Sequence, residues 1–239
     1  MNYSQLYQQS IEQPETFWKQ RAQEIDWYQQ PSQILTQDEN GSDRWFADGE
    51  LNTAYLALDY HVNNGRAEQN ALIYDSPVTS TVEQYTYREL RDQVALFAGV
   101  LREQGIEKGD RVIIYMPMVP QAVIAMLACA RLGAIHSVVF GGFAARELAI
   151  RIDDAKPKLL LAASCGIEVE KVIAYKPLVD EALKLAKFPP QRCIILQRPQ
   201  LPAQMIDGQD LDWKTLQSAA QPAEPVALKS TDPLYILYE

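Results

Sequence analysis

From about residue 71 onward the chain alternates short apolar runs with longer amphipathic stretches. The apolar runs show no polar alternation, which is typical of strands buried on both faces of a parallel sheet. The predicted strands are residues 71–74, 111–115, 135–140, 159–162 and 193–196, and the predicted helices are about 121–132, 144–155 and 178–186. This order predicts a doubly wound α/β fold, with a mainly parallel sheet and helices on both faces.

Local sequence signals predict three helix ends. Thr86 and Glu89 have the spacing of a capping box, in which the threonine hydroxyl and the glutamate each bind a backbone N–H of the first turn. A helix is therefore predicted to begin near residue 87 and to end before Gly105. Gly133 is likewise predicted to end the helix that precedes it.

Residues 1–60 differ in composition from the rest of the chain. They are rich in glutamine and aromatic residues, and Phe17, Trp18 and Trp27 are separated by polar positions. This pattern predicts a short helix and an extended arm whose aromatic side chains pack on a larger body. A further amphipathic helix is predicted from about residue 51 to 62. We divide the chain into an N-terminal arm, residues 1–70, and an α/β subdomain, residues 71–239.

The last part of the chain carries two further predictions. Residues 197–231 contain several prolines and are predicted to be a looser segment that forms an excursion on the surface. Residues 234–238 have the composition of a buried strand. Because a domain seldom stops inside such a strand, we expect the sequence to be the truncated beginning of a longer protein.

Charge and composition narrow the class of function. The formal net charge of −9 argues against non-specific binding of nucleic acid or of an anionic membrane surface. A hydrophobic content of 47% is enough for a real core. The three cysteines show no CxxC spacing and are expected to be buried, reduced thiols. The polar start lacks the apolar core of a signal peptide, so a soluble, cytoplasmic protein is expected.

The pair Gly141-Gly142 is the most informative local feature. It follows a predicted buried strand and opens a helix. Without Cβ atoms, the pair would let a phosphate or another ligand approach the main chain beside free helix N–H donors. A tight strand–helix turn that holds no ligand explains the same pair equally well. His136, at the start of the same strand, is expected to be a hydrogen-bonded structural histidine rather than part of a site.

A longer block of residues resembles a known family. Residues 115–120, 125–134 and 135–143 form a nearly continuous segment that strongly resembles the acetyl- and propionyl-CoA synthetases of the adenylate-forming superfamily. The resemblance extends to residues 86–90, 108–112 and 232–238, and so covers essentially the whole chain. Segments at 144–149, 151–158 and 174–180 are more similar to the propionyl-CoA branch. In this family the final strand leads into a Ser/Thr/Gly-rich phosphate loop, which is missing here.

The resemblance implies an activity for the intact enzyme. The family is an AMP-forming ligase that joins a short carboxylate to ATP, with Mg²⁺, and then transfers the acyl group from AMP to CoA. The groups that activate the carboxylate would lie beyond residue 239, so the chain alone is expected to be inactive. Oligomeric state and the choice among acetate, propionate and butyrate stay open.

The resemblance also implies where CoA would bind. Phe140, Gly141 and Gly142 match the family segment that lines the nucleotide end of CoA. After residue 166, family members place basic residues that meet the 3′-phosphate of CoA. Lys171 matches one of these positions, and Ile173 is a candidate apolar wall for the adenine. The match is incomplete, because residues 169 and 170 depart from the family pattern and add a carboxylate.

Two other classes of function remain open at this level. One is a naturally short, non-catalytic module that binds CoA or another nucleotide. The other is an adenylating enzyme that passes its acyl group to a carrier protein, although such an enzyme would lack the 140–142 segment. The coding sequence downstream of residue 238 separates the first class from the ligase, since only the ligase continues into a phosphate loop.

Overall fold

Four of the five predicted apolar strands form the parallel sheet, in a computed structural model that describes residues 2–238. Residues 71–74 lie instead in a separate antiparallel hairpin with residues 81–86. The strands are β1 (Leu35–Gln37), β2 (Asp43–Trp45), β3 (Glu50–Leu51), β4 (Asn70–Ser76), β5 (Thr81–Thr86), β6 (Arg111–Met116), β7 (Ile135–Phe140), β8 (Leu159–Ala163), β9 (Cys165–Glu168), β10 (Lys171–Ala174), β11 (Cys193–Leu196), β12 (Asp210–Asp212) and β13 (Leu228–Lys229). The helices are α1 (Tyr3–Glu12), α2 (Pro14–Ala22), α3 (Tyr87–Glu103), α4 (Pro120–Leu132), α5 (Ala145–Ala155), α6 (Lys176–Leu185) and α7 (Trp213–Ala219), with two π-helical turns at Tyr55–Asp59 and Val62–Arg66.

The central sheet has five parallel strands in the order β12-β11-β8-β6-β7. The chain starts at β6, moves outward to β7, then crosses back over β6 to β8 and continues in the other direction. Right-handed crossovers in opposite directions place helices on both faces of the sheet. Accordingly, α3 packs against α4, and α5 packs against α6. The predicted doubly wound α/β class is confirmed.

The predicted helix ends are present in the structure. Thr86 and Glu89 form the complete capping box at the start of α3, with each side chain bound to the other residue's backbone N–H. Gly133 ends α4 with a left-handed backbone conformation, φ 73°. Because a residue with a Cβ pays a steric penalty in that conformation, glycine is the natural helix terminator here.

The prediction for residues 197–231 is wrong in part. This segment contributes β12, the fifth strand of the sheet, and helix α7. Trp213 is buried and its ring stacks on Phe97 of α3, with the ring centroids 3.6 Å apart. The prolines are confined to the connections, while the burial of one large aromatic side chain holds the helix against the body.

The prediction of a buried strand at 234–238 is also wrong. Within residues 2–238, the segment forms one isolated parallel bridge, between His136 of β7 and Tyr235. The side chains of Tyr235 and Leu237 are exposed, at 56% and 74%. The segment lies beside the edge strand β7, so within the described residues it has a sheet neighbour on one side only. Composition alone does not show how many neighbours a strand will have.

The arm is helical at its start, and its aromatic residues contact one another. Trp18 lies edge-on to both Phe17 and Trp45, and Trp27 packs against Phe46. The arm joins the body further along, where the Asp59 carboxylate pairs with both terminal nitrogens of the buried Arg131 guanidinium, at 2.7 and 3.0 Å.

Across the part of the chain that the structure describes, no helix is both long and apolar enough to cross a membrane.

Candidate functional site at the carboxyl edge of the sheet

A cleft lies beyond the carboxyl ends of β6, β7 and β8, where the chain reverses its direction across the sheet. Open α/β sheets bind their ligands at such a switch point, because the loops that leave neighbouring strands diverge there. The cleft has a volume of about 280 Å³. Its walls include Pro117, Met118, Phe140, Gly141, Ile167, Glu168, Tyr175 and Arg198, with the turn at residues 74–78 on one side.

The predicted glycine pair forms a bend on the wall of this cleft. Phe140 is 62% exposed at the end of β7, and the N–H of Phe143 donates to the Phe140 carbonyl at 3.2 Å. Gly142 has φ 105°, a conformation that a residue with a Cβ rarely adopts. The turn therefore explains Gly142 by its backbone geometry. It leaves the exposed Phe140 ring and the Gly141 backbone facing the cleft.

Tyr115, near the end of β6, binds the bend through its hydroxyl group. Its buried hydroxyl donates to the Phe143 carbonyl at 2.8 Å and accepts from the Gly142 N–H at 3.1 Å. Burial raises the pKa of this phenol, so it is neutral at physiological pH and can donate. The Gly142 N–H is therefore occupied within the protein and is not a free donor for a ligand phosphate. The sequence expectation concerned the N–H groups at the start of the following helix, and it stays a prediction.

A second tyrosine explains why two glycines face each other across the cleft. A Cβ on Gly141 would lie 2.5 Å from the ring of Tyr175, and a Cβ on Gly166 would lie 2.0 Å from its hydroxyl oxygen. Tyr175 thus fills the space that side chains at both positions would need. Burial, with added contributions from Tyr115 and Glu168, raises the pKa of Tyr175 to about 12. Internal packing accounts for the bare Gly141 position without any ligand.

The two other predicted contacts lie on the hairpin of β9 and β10, which extends beyond the carboxyl end of β8. Lys171 pairs in register with Glu168, and Ile173 pairs with Gly166. Directly paired residues share one face of a hairpin, so Lys171 and Ile173 lie on the face that carries Glu168 to the cleft. The Glu168 carboxylate would be 3.0 Å from a Cβ on Gly142. Lys171 and Ile173 lie on the same hairpin, and neither side chain lines the cleft itself.

Lys171 and Ile173 differ in their surroundings. Lys171 is exposed and forms no salt bridge within residues 2–238. Ile173 is half-buried and packs against the hydrophobic core. Lys171 is therefore available to an anion, whereas much of Ile173 is already engaged in packing.

Arg198 is a cleft residue that the sequence did not single out. It follows β11, its backbone N–H donates to the Ser164 hydroxyl, and its Nη1 donates to the Cys165 carbonyl at 3.0 Å. The guanidinium is the positive charge that lines the cleft itself. Its position just after the carboxyl end of a sheet strand was the signal that could have identified it.

Helix α5 begins directly after the glycine bend. Its N-cap is Ala144, which provides no side-chain hydrogen bond to the first turn. Alanine is a poor N-cap, and Glu147 in the first turn offsets part of the partial positive charge of the helix start. The surroundings of the bend therefore carry both signs of charge, with Arg198 and Lys171 positive and Glu147 and Glu168 negative.

Other potentially reactive groups are inert. All three cysteines are free and buried, as predicted. Burial raises the pKa of the Cys129 and Cys193 thiols to about 12, so neither forms a thiolate near neutral pH. Over residues 2–238 no group of three or more histidine, cysteine, aspartate or glutamate side chains is placed to hold a metal ion. The cleft can therefore bind and orient a ligand, and the residues around it present no nucleophile–base pair.

The fold and the cleft together define a doubly wound α/β domain with an open cleft at the carboxyl edge of its sheet. Comparison with known families is more specific. The family model "AMP-binding enzyme" matches residues 60–238, and the model "Acetyl-coenzyme A synthetase N-terminus" matches residues 3–57. The chain therefore belongs to the AMP-binding enzyme family, with the N-terminal region of the acetyl-CoA synthetase group.

Individual relatives agree with this assignment. An uncharacterized protein of Pseudomonas aeruginosa is 60% identical over 100% of this chain. The mitochondrial acyl-CoA synthetase short-chain family member 3 of Homo sapiens is 48% identical over 99%, and the propionate–CoA ligase of Salmonella typhimurium 41% over 100%. The chain spans only 38%, 34% and 38% of their respective lengths. The solved structure of acetoacetyl-CoA synthetase from Streptomyces lividans superposes on the whole chain, with a TM-score of 0.88 and 29% identity, and 36% of that structure is covered.

Proposed function

We propose that this chain is the part of an AMP-forming, short-chain acyl-CoA synthetase that receives the nucleotide end of CoA. The reaction of the whole enzyme joins a carboxylate to ATP, which gives an acyl-adenylate and pyrophosphate. The CoA thiol then displaces AMP and forms the acyl-CoA. Propionate is our proposed substrate. The sequence is more similar to the propionyl-CoA branch, and the Salmonella relative is a propionate–CoA ligase.

The observation that carries the proposal is the cleft beside the 140–142 bend. Its position at the switch point of the sheet is where such folds bind nucleotides, and it lies inside the region matched by the family model. Phe140 offers an exposed aromatic surface and Arg198 a positive charge at the cleft, and the exposed Lys171 adds a positive charge on the neighbouring hairpin. This combination suits a ligand with an apolar base and several phosphates.

The residues at the cleft would bind and orient CoA rather than carry out bond chemistry. Lys171 would meet a phosphate as a point charge, since an ammonium lacks the two-pronged geometry of a guanidinium. Glu168 would oppose a nearby phosphate, so the ligand's phosphate must lie closer to Lys171 than to Glu168. ATP and Mg²⁺ are required by the whole reaction, and no residue described here is assigned to them.

Calorimetry of CoA and dephospho-CoA with this chain tests the proposal. We expect CoA to bind more tightly, and Lys171→Ala to weaken CoA about five- to tenfold while leaving dephospho-CoA unchanged. The reason is that only CoA carries the 3′-phosphate that Lys171 would contact. Lys19→Ala removes an exposed lysine from α2 and serves as the matched control, with no expected effect. Equal affinity of the wild-type chain for both ligands would remove the phosphate assignment.

A further inference from the structure

Within residues 2–238, a single side chain tethers the glycine bend by hydrogen bonds, that of Tyr115. The hydroxyl of Tyr115 contacts the two consecutive residues that shape the bend, at the Gly142 N–H and the Phe143 carbonyl. Both hydrogen-bonding functions of the hydroxyl are therefore used. The ring that carries it is buried, at 0% exposure, within the central sheet strand β6. A rigid strand thus fixes a loop residue through one oxygen atom.

This tether matters because glycine does not fix its own conformation. Gly142 can populate backbone states on both sides of φ = 0° with similar ease. Its observed φ of 105° is one of many accessible values. Without the hydroxyl, the Gly142 N–H and the Phe143 carbonyl would lose their partner, and the bend would be free to rearrange toward solvent. The exposed Phe140 ring, two residues earlier, would move with it.

We infer that Tyr115 is a positioning residue, which holds residues 140–143 in the shape that receives the nucleotide end of CoA. The inference rests on the proposed function of the cleft and adds the residue that preorganises it. Tyr175 has a different task. Its ring packs against Tyr115, with centroids 5.1 Å apart, and covers Gly141, but its hydroxyl makes no hydrogen bond within residues 2–238.

The two tyrosines provide a matched pair of variants. Tyr115→Phe removes the tether and keeps the ring, whereas Tyr175→Phe removes a neighbouring hydroxyl that does not bind the bend. We expect the amide hydrogen of Gly142, followed by NMR, to exchange about tenfold faster in Tyr115→Phe and at the wild-type rate in Tyr175→Phe. The dissociation constant for CoA should rise about tenfold in Tyr115→Phe and stay unchanged in the Lys19→Ala control. Tyr175→Phe is the control for the exchange rate alone, because Tyr175 lines the cleft.

The outcomes separate this inference from the function on which it rests. If the wild-type chain binds CoA and Tyr115→Phe binds it equally well, the positioning role is overturned and the proposed function stands. An unchanged exchange rate of Gly142 in Tyr115→Phe would also overturn the role. If the wild-type chain does not bind CoA, both proposals fail. Circular dichroism of the two variants shows whether a loss of binding reflects a loss of fold.

Discussion

At the scale of single residues, His136 shows how burial controls charge. The sequence suggested a hydrogen-bonded structural histidine. Its backbone does bind the 234–236 segment, but its ring nitrogen Nδ1 has no hydrogen-bond partner within residues 2–238. Loss of hydration lowers the pKa of the imidazole to about 4. The ring is therefore neutral at physiological pH, since the protein offers nothing to stabilise its charge.

The shift at His136 predicts a pH dependence of folding. An unfolded histidine has a pKa of about 6.5, so between pH 6.5 and 4 the unfolded chain binds a proton that the folded chain excludes. The free energy of unfolding should therefore fall as the pH drops through this window, by about 2–4 kcal/mol in total. Urea unfolding of wild type and His136→Phe at pH 7 and pH 4.5 measures it. The phenylalanine variant should lose this component of the pH dependence.

The second histidine supplies the control for this measurement. His61 lies in the helical segment of the arm. The variant His61→Gln should retain the pH dependence of the wild type. A wild-type chain and a His136→Phe variant with the same loss of stability between pH 7 and pH 4.5 would contradict the assignment to His136.

At the scale of elements, the tip of the β9–β10 hairpin is strained. Val169 occupies the turn with φ 55° and is 85% exposed. A β-branched residue in the left-handed region is a genuine outlier, because its Cβ crowds the neighbouring carbonyl. The strain lies between the two hairpin strands that carry Glu168 and Lys171, so the turn sets how these strands meet.

Relief of this strain is measurable. Val169→Gly should raise the free energy of unfolding by up to about 1 kcal/mol, because glycine accepts a positive φ without a steric penalty. Val172→Gly, a change of the same chemical kind in the middle of β10, should lower it by a similar amount. Chemical denaturation of both variants gives the comparison. Destabilisation by both changes would show that the turn is not strained.

The docking of the 213–223 segment depends on one glycine in α3. A Cβ on Gly99 would lie 1.8 Å from the carbonyl oxygen of Gln221, so the two backbones are in close contact. The Ala223 N–H also donates to the Ala95 carbonyl at 2.9 Å. Helix α3 therefore accepts a backbone segment directly on its surface, which only a residue without a side chain permits.

Gly99→Ala reverses the usual effect of this substitution. In an exposed helix it would stabilise by about 1 kcal/mol through helix propensity. Here we expect it to destabilise by about 1–3 kcal/mol, because the new methyl group forces the Gln221 backbone away. Thermal unfolding reports the sign, and tryptophan fluorescence reports whether Trp213 leaves Phe97. A stabilised Gly99→Ala protein would contradict the close packing.

At the scale of the whole molecule, the described residues supply a cleft at the carboxyl edge of the sheet, which we propose receives CoA. The chain spans about a third of the length of the curated relatives named above. The cleft residues are donors, charges and an aromatic surface, and they form no metal cluster in the range 2–238. This inventory fits binding and orientation, and the activation of a carboxylate by ATP requires further groups.

The 239-residue chain is accordingly expected to have no ligase activity of its own. With propionate, ATP, Mg²⁺ and hydroxylamine it should form no acyl-hydroxamate above background, because the chain spans only 34–38% of the length of the synthetases that it matches. The Salmonella propionate–CoA ligase, assayed in parallel, is the positive control. Propionate-dependent turnover by the 239-residue chain would contradict this prediction.

The sequence by itself determined features that depend on neighbours in the chain. The Thr86–Glu89 capping box and the Gly133 helix end are local geometry, and both are observed. The continuous apolar runs fixed the parallel, covered sheet, because burial of both faces leaves no place for polar side chains. The glycine bend could also be identified from the sequence, because its position between a strand and a helix depends only on neighbouring residues. Its contact with CoA stays a prediction.

Only the tertiary structure decided which distant residues meet. Trp213 reaches Phe97, Tyr115 reaches the bend at Gly142, and Arg198 enters the cleft from the strand that follows the hairpin. Each contact joins positions far apart in the chain, and its energy comes from packing or from a hydrogen bond that no local pattern encodes. The same holds for the exposure of residues 234–238, which depends on how many strands lie beside them rather than on their own composition.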